Sequence, residues 1–137
     1  MKRNLLGWLT LCLLVLCTAG HAVDVDLTAM SKTMVYAEVF NILGNPEAYL
    51  GKTIKMNGIY TVLYYGKINK HYHYVVVEDA AACCQQGFEF VRSGNYVYPK
   101  DYPKEKAKIE VTGVFKKGRD DIGYTYYYLA INDLKTL

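Results

Sequence analysis

The chain has 137 residues, the size of one domain, and its 16 basic and 13 acidic side chains give a formal net charge of +3. With four cysteines and 52% hydrophobic residues, the composition excludes a multidomain enzyme, a disulfide-dense miniprotein, a polybasic nucleic-acid-binding protein and a disordered tail.

The N-terminal segment, residues 1–22, has the pattern of a secretory signal peptide. Two basic residues precede an apolar run over residues 5–17, and small residues at positions 20 and 22 form a cleavage site after Ala22. The run is shorter than the roughly 18 residues expected of a membrane-spanning helix. We therefore expect a cleaved signal and an exported protein, periplasmic or otherwise extracytoplasmic, that is soluble after cleavage. The alternatives are an uncleaved anchor and a lipoprotein acylated at Cys17, which the bulky Leu16 disfavours.

Cleavage would change the charge and the cysteine count. Removal of residues 1–22, which include Lys2 and Arg3, lowers the net charge from +3 to +1 and leaves Cys83 and Cys84 as the only cysteines. A charge this small attracts phosphate weakly, so we expect no nucleic-acid partner.

The first part of the mature chain is predicted to be a leader followed by a helix. Residues 23–30 are short and polar and predict a flexible leader. Residues 31–43 predict an α-helix, because apolar residues recur at helical spacing and Gly44 supplies a left-handed stop. The recurring residues are Val35, Val39 and Ile42, and Met34 and Leu43 widen their stripe. Pro46 then suits the start of one short helical turn over residues 46–50.

From Thr53 onward the hydrophobic period becomes that of strands. Five runs rich in β-branched and aromatic residues predict strands over residues 53–65, 72–79, 87–91, 107–115 and 124–131. Residues 92–106 contain two prolines and predict a long loop. Gly58 and Gly113 lie inside the first and fourth runs, where glycine permits the sharp bend or bulge that a small barrel needs.

These elements predict a single mainly β domain over residues 31–137. Five strands with bent first and fourth members favour a five-stranded OB-fold-like barrel preceded by an N-terminal α-helix. A short β-sandwich is the alternative, although its usual seven strands are two more than the sequence provides.

Cys83 and Cys84 are adjacent, which makes ordinary disulfide stapling implausible. Neighbouring Cα atoms lie about 3.8 Å apart, below the usual disulfide range of roughly 4.4–6.8 Å, and a bond between them would close almost no loop. Three interpretations remain open: a strained vicinal disulfide acting as a turn clamp or redox switch, two thiolates on Zn²⁺ or Cu(I), or two small buried apolar residues. Glu78 and Asp79 are near enough to assist the thiolates, whereas His73 would lie roughly 20 Å away along a strand.

The cysteines belong to a longer motif within residues 78–90. This stretch reads Cys-Cys-x-x-Gly-x-Glu-Phe from Cys83 to Phe90. It resembles a signature of small exported bacterial proteins of unknown function, which are similar to the extracytoplasmic OB-like domain of some predicted bacterial permeases. Residues 45–52 look like the segment that precedes the first strand in those proteins. The resemblance implies an OB-like accessory protein whose partner is an envelope protein or a membrane transport component, and it assigns no reaction.

Alternating tyrosines predict a ligand face. OB-folds commonly bind ligands on their second and third strands, and Tyr72 and Tyr74 share one face of the predicted second strand. If Phe88 and Phe90 point inward, Glu89 points outward beside that strand. Tyr72, Tyr74 and Glu89 are therefore the candidate ligand face, although Val75 and Val77 compete with the tyrosines for the core. A further stripe of Tyr124, Tyr126 and Tyr128 lies on the last strand.

The mature chain offers no recognisable catalytic set. Its two histidines, His71 and His73, lie two residues apart on one predicted strand, and no Ser-His-Asp or Cys-His arrangement has supporting spacing. The histidines suit the end of the barrel opposite the cysteines, where we expect a solvated pair. We therefore expect a non-enzymatic binding or accessory module of the bacterial envelope. The alternative is a metal-handling (Zn or Cu) or thiol-redox protein that uses Cys83 and Cys84.

Overall fold

The computed structural model describes residues 22–137, so the predicted signal peptide lies outside the described residues except for Ala22. The described part is mainly β, with one α-helix and two short 3-10 turns. Its elements are β1 (Val25–Asp26), α1 (Lys32–Gly44), a 3-10 turn (Pro46–Tyr49), β2 (Thr53–Tyr65), a second 3-10 turn (Gly66–Ile68), β3 (Lys70–Glu78), β4 (Gln85–Arg92), β5 (Lys108–Arg119) and β6 (Thr125–Thr136).

The six strands form one mixed sheet in the order β1-β2-β3-β4-β6-β5, with an additional pairing between β2 and β5. The β1–β2 and β4–β6 pairs are parallel, and the other pairs are antiparallel. Strand β2 has two antiparallel partners because its first half pairs with β5 and its second half with β3, the change occurring at Ile59. Together with β1, strand β2 therefore has three strand neighbours, and each of the other four long strands has two.

Two glycines lie where a neighbouring strand is too close to leave room for a side chain. A Cβ on Gly58 would lie 2.6 Å from Cγ2 of Val75, where β2 changes partner. A Cβ on Gly113 would lie 2.6 Å from the carbonyl oxygen of Ala130, next to an irregularity between Thr112 and Gly113 in the β5–β6 ladder. The predicted bulge at Gly113 is confirmed, and Gly58 marks a close strand crossing.

The predicted strands are confirmed as elements, and the ends of all of them except β2 are shifted. Strand β2 has the predicted bounds, β3 starts two residues earlier at Lys70, and β5 and β6 run on to Arg119 and Thr136. Between Arg92 and Lys108 the chain has neither helix nor strand, as the two prolines predicted. Among residues 22–137, no helix combines the length and the apolarity needed to cross a membrane.

The core lies between the inward faces of the strands, and α1 packs against it. Val39 and Ile42 of α1 are fully buried, whereas Met34 and Leu43 are 57% and 41% exposed. The expected widening of the apolar stripe is therefore wrong, because only one narrow side of the helix contacts the sheet. The buried apolar residues of the strands include Ile54, Met56, Tyr60, Val75, Phe88, Phe90, Val111, Phe115 and Leu129.

Residues 23–30, expected to be a flexible leader, take part in the fold. Val25 pairs with Ile54 in the parallel β1–β2 ladder, and Leu27 is only 1% exposed. The backbone N–H of Thr53 donates to Asp24 Oδ2 at 2.7 Å. Because β1 precedes it, α1 is not the first element. A strand of two residues is too short to produce a periodic pattern, which is why the sequence did not reveal it.

Candidate functional site

A cleft opens where β3 and β4 separate. Their ladder ends at the pair Tyr74 and Glu89, so residues 70–73 of β3 pair with β2 alone and residues 90–92 of β4 pair with β6 alone. A cavity of about 430 Å³ lies at this gap, beside the loop over residues 93–107. Its lining comprises Lys70, His71, His73, Glu89, Phe90, Val91, Arg92, Gly94, Tyr96, Tyr98, Tyr102, Tyr126 and Tyr128.

The three residues of the predicted ligand face lie together on the outside of the sheet. Val75 and Val77 of β3 are buried in the core, so Tyr72 and Tyr74 occupy the opposite face because strand side chains alternate. Glu89 pairs with Tyr74 across the ladder. Of the two sets of side chains that could face the core from β3, the valines do so and the tyrosines do not.

A second cavity extends this face. It has a volume of about 340 Å³ and is lined by Ile68, Lys70, Tyr72, Glu89, Arg119, Asp120, Asp121 and Tyr126. Three of these residues, Lys70, Glu89 and Tyr126, also line the first cavity. Tyr72 therefore lies at a cavity wall, whereas Tyr74 lines neither of the two cavities. The β5–β6 loop, which supplies two aspartates, was not part of the predicted face.

Opposite charges meet where the two cavities join. Burial raises the pKa of the Glu89 carboxyl, and the positive charge of Lys70 acts in the opposite direction. Lys70 Nζ lies 4.4 Å from the ring centroid of Tyr72, within cation–π range. Burial, with a smaller effect from Glu89, raises the pKa of Tyr74. The wall of the cleft thus offers a carboxylate, an ammonium group and aromatic faces to a ligand.

The histidines form part of an aromatic cluster at the bottom of the cleft. The hydroxyl of Tyr60 lies 2.8 Å from His73 Nδ1, and the ring of Tyr102 stacks on His73 with centroids 3.9 Å apart. The ring of Tyr98 lies 4.5 Å from that of His71. Burial, with a smaller effect from His71, lowers the pKa of His73 to about 4. His73 is therefore a neutral hydrogen-bonding group near pH 7, and the expectation of a solvated histidine pair is wrong.

The loop over residues 93–107 is held against the cleft by Arg92. The Arg92 guanidinium donates to the backbone oxygen of Asp101 at 2.6 Å and lies 3.5 Å from the ring centroid of Tyr96. Asp101 Oδ2 in turn accepts a hydrogen bond from the N–H of Val97 at 2.8 Å. This contribution of the loop was not predicted; the only signal for it in the sequence is the concentration of tyrosines at 96, 98 and 102 in a loop with two prolines.

The vicinal cysteines lie in the β3–β4 turn, at the end of β3 away from the histidines. Both are free and exposed, so the interpretation as buried apolar residues is wrong. Their Sγ atoms are 3.6 Å apart. The Cys83 thiol donates to Asp79 Oδ2 at 3.2 Å, and this hydrogen bond is the main cause that raises the pKa of Cys83 to about 11. The carboxylate of Glu78 instead accepts from Gln85 Nε2 at 3.0 Å.

Within residues 22–137, one group of side chains is spaced closely enough to hold a metal ion. It consists of Asp79, Cys83 and Cys84, whose ligand atoms all lie within 4.8 Å of one another. The predicted assistance from Asp79 therefore has a structural basis, and that from Glu78 has none.

No protein-family model matches this chain, and no curated protein was found that resembles it.

Proposed function

We propose that the protein is an exported, non-enzymatic binding or accessory module of the bacterial cell envelope, built on an OB-fold-like barrel. The order of strand pairings supports this fold, because β2 is paired with both β3 and β5 and the OB-fold is a five-stranded, partly open barrel. In that assignment β2 to β6 are the five barrel strands, and β1 and α1 are additions.

The separation of β3 and β4 beyond Tyr74 and Glu89 is the observation that carries the proposal. These are the second and third barrel strands, the usual ligand-binding strands of OB-folds. The gap between them is lined by tyrosines, with Lys70 and Glu89 at its rim. Such a surface stacks on flat or ring-shaped groups and orients them by a few polar contacts. Sugar rings and peptide side chains are the ligands that fit this chemistry.

Export is supported by the pattern of residues 1–22. An envelope partner is supported by the resemblance of the cysteine motif to the signature of small exported bacterial proteins. The mass of the protein recovered from the periplasmic fraction tests the first point, because cleavage after Ala22 fixes the expected mass. Recovery of the uncleaved chain in the membrane fraction would contradict it.

The ligand face is tested by a pull-down from solubilised native envelope. The bait variant Tyr72→Ala/Tyr126→Ala removes two aromatic walls, and the matched control Phe40→Ala removes an exposed aromatic ring of α1, which lines neither cavity. We expect a specific component to be retained by the wild type and by the control. Its recovery should fall about tenfold or more with the double variant, since one stacking contact is worth about 1–3 kcal/mol. Equal recovery by all three baits would contradict the proposal.

A second candidate function uses the cysteine turn. The convergence of Asp79 with both sulfurs favours a metal-handling protein, and the proximity and exposure of the two thiols also suit a thiol–disulfide switch. Thiol titration of freshly isolated protein tests the switch: two free thiols that resist mild oxidation would remove it.

A further inference from the structure

The spacing of the two cysteine sulfurs is that of two ligands on one metal ion. Two sulfurs that each lie about 2.3 Å from a tetrahedral zinc ion are about 3.7 Å apart, and the Sγ atoms of Cys83 and Cys84 are 3.6 Å apart. A disulfide would require them to approach to about 2.05 Å. The turn thus already holds the sulfurs at a separation that zinc can bridge.

Asp79 is held beside the two sulfurs by hydrogen bonds to the backbone of the same turn. Its Oδ1 accepts hydrogen bonds from the N–H groups of Cys83 at 2.9 Å and Cys84 at 3.4 Å. Its own N–H donates to the backbone oxygen of Cys84 at 3.0 Å, and Ala82 adopts a left-handed φ of 55°. These contacts direct Oδ2 toward the Cys83 sulfur, 3.2 Å away.

We propose that Asp79, Cys83 and Cys84 form a three-ligand site for Zn²⁺ whose fourth position is open. Two adjacent thiolates alone could bind either Zn²⁺ or Cu(I). The carboxylate of Asp79 favours Zn²⁺, because a carboxylate is a hard ligand that suits Zn²⁺ and not Cu(I). All three ligand side chains are accessible from solvent. The fourth position can therefore be filled by water or by a side chain of a partner.

The site deepens the second candidate function, on which it rests, and is separate from the proposed ligand cleft. The cleft lies at the first residues of β3 and the cysteine turn follows its last residue, roughly 25 Å away at about 3.3 Å per residue. Lys32 of α1 lies 3.8 Å from Glu78, the residue before Asp79, and its positive charge favours the charged form of Asp79. Lys32 thus offsets part of the negative charge of two thiolates and a carboxylate.

Titration of the purified, reduced, metal-free protein with Co²⁺ and then Zn²⁺ tests the site. We expect one Co²⁺ per chain, with a thiolate-to-cobalt charge-transfer band in the near ultraviolet and intense visible bands of tetrahedral coordination. Zn²⁺ should displace the cobalt and remove both signals. A wild-type protein that shows no charge-transfer band and takes up no Zn²⁺ would overturn the proposal.

Three variants assign the ligands. Cys84→Ser should weaken the charge-transfer band and the affinity for Zn²⁺. Asp79→Asn keeps an oxygen for the two backbone N–H groups and removes the carboxylate, and it should weaken Zn²⁺ binding about tenfold or more. The matched control is Asp120→Asn, because Asp120 Oδ1 accepts N–H groups of Ile122 and Tyr124 in a turn without thiols; it should bind Zn²⁺ like the wild type. Wild-type affinity in Asp79→Asn would overturn the three-ligand site.

The same titration separates this inference from the proposed function. The cleft variant Tyr72→Ala/Tyr126→Ala should bind Zn²⁺ normally even if the pull-down identifies no ligand. Loss of zinc binding in that variant, with its fold intact, would show that the two sites are not independent and would contradict the assignment.

Discussion

The hydroxyl of Tyr60 lies 2.8 Å from Nδ1 of His73, which joins the fully buried core to the bottom of the cleft. Tyr60 lies on β2 and His73 on β3, and Tyr102 of the long loop stacks on the imidazole. A core residue thereby fixes the orientation of a cleft residue.

Removal of the Tyr60 hydroxyl should destabilise the protein. In Tyr60→Phe the imidazole nitrogen of His73 loses its partner in a half-buried site, which should lower the free energy of unfolding by about 1–3 kcal/mol. The matched control is Tyr64→Phe, whose hydroxyl donates to Asn69 Oδ1 at 3.0 Å in an exposed position and should cost less than about 0.5 kcal/mol. Urea melts of both variants make the comparison, and equal losses would contradict it.

Stability should fall on acidification because of His73. Its pKa in the folded protein is lowered to about 4 from an unfolded value near 6.5, so the unfolded chain binds more protons between these pH values. The contribution is therefore complete above pH 6.5 and is lost as the pH falls toward 4. Urea melts across this range should show a shallower pH dependence for His73→Gln than for the wild type. An identical slope in the two proteins would show that His73 is not responsible.

Replacement of both cysteines by serine should leave the fold nearly unchanged. Cys83 and Cys84 are exposed, and a bond between them would close too short a loop to constrain the unfolded chain. We expect Cys83→Ser/Cys84→Ser to lose less than about 1 kcal/mol in urea melts without metal. A large loss that is independent of reductant would mean that the side chains contribute packing.

The sequence predicted those parts of the fold and site that depend on local patterns. The five long strands follow from alternating β-branched and aromatic residues, and Asp79 could be placed near the cysteines because a turn brings close neighbours together. The contacts of Tyr60 with His73 and of Arg92 with Asp101 could not be predicted in this way. They join residues of different elements, and no local period encodes which elements will meet.

A substitution at Leu27 measures how much the segment before α1 contributes to the stability of the fold. Leu27 is buried to 1% exposure although only two residues of β1 pair with β2. Leu27→Ala should lower the free energy of unfolding by about 2–5 kcal/mol, the usual cost of a cavity at a buried leucine. Val23→Ala, at a position 38% exposed, should change it by less than about 0.5 kcal/mol. A loss in Leu27→Ala as small as that of the control would mean that the segment adds little to the core.

The division of β2 between two partners has a consequence for the time course of folding. Its pairing with β3 is a hairpin of neighbouring strands, whereas its pairing with β5 joins residues roughly 50 to 60 positions apart, from Ile59 with Lys108 to Thr53 with Val114. The entropy lost on closing so long a segment must be met before these contacts form. We therefore expect the pairs β2–β3, β3–β4 and β5–β6, which join strands adjacent in the chain, to form early. The pairing of β2 with β5 should form slowly and late, and folding should become cooperative only when it forms.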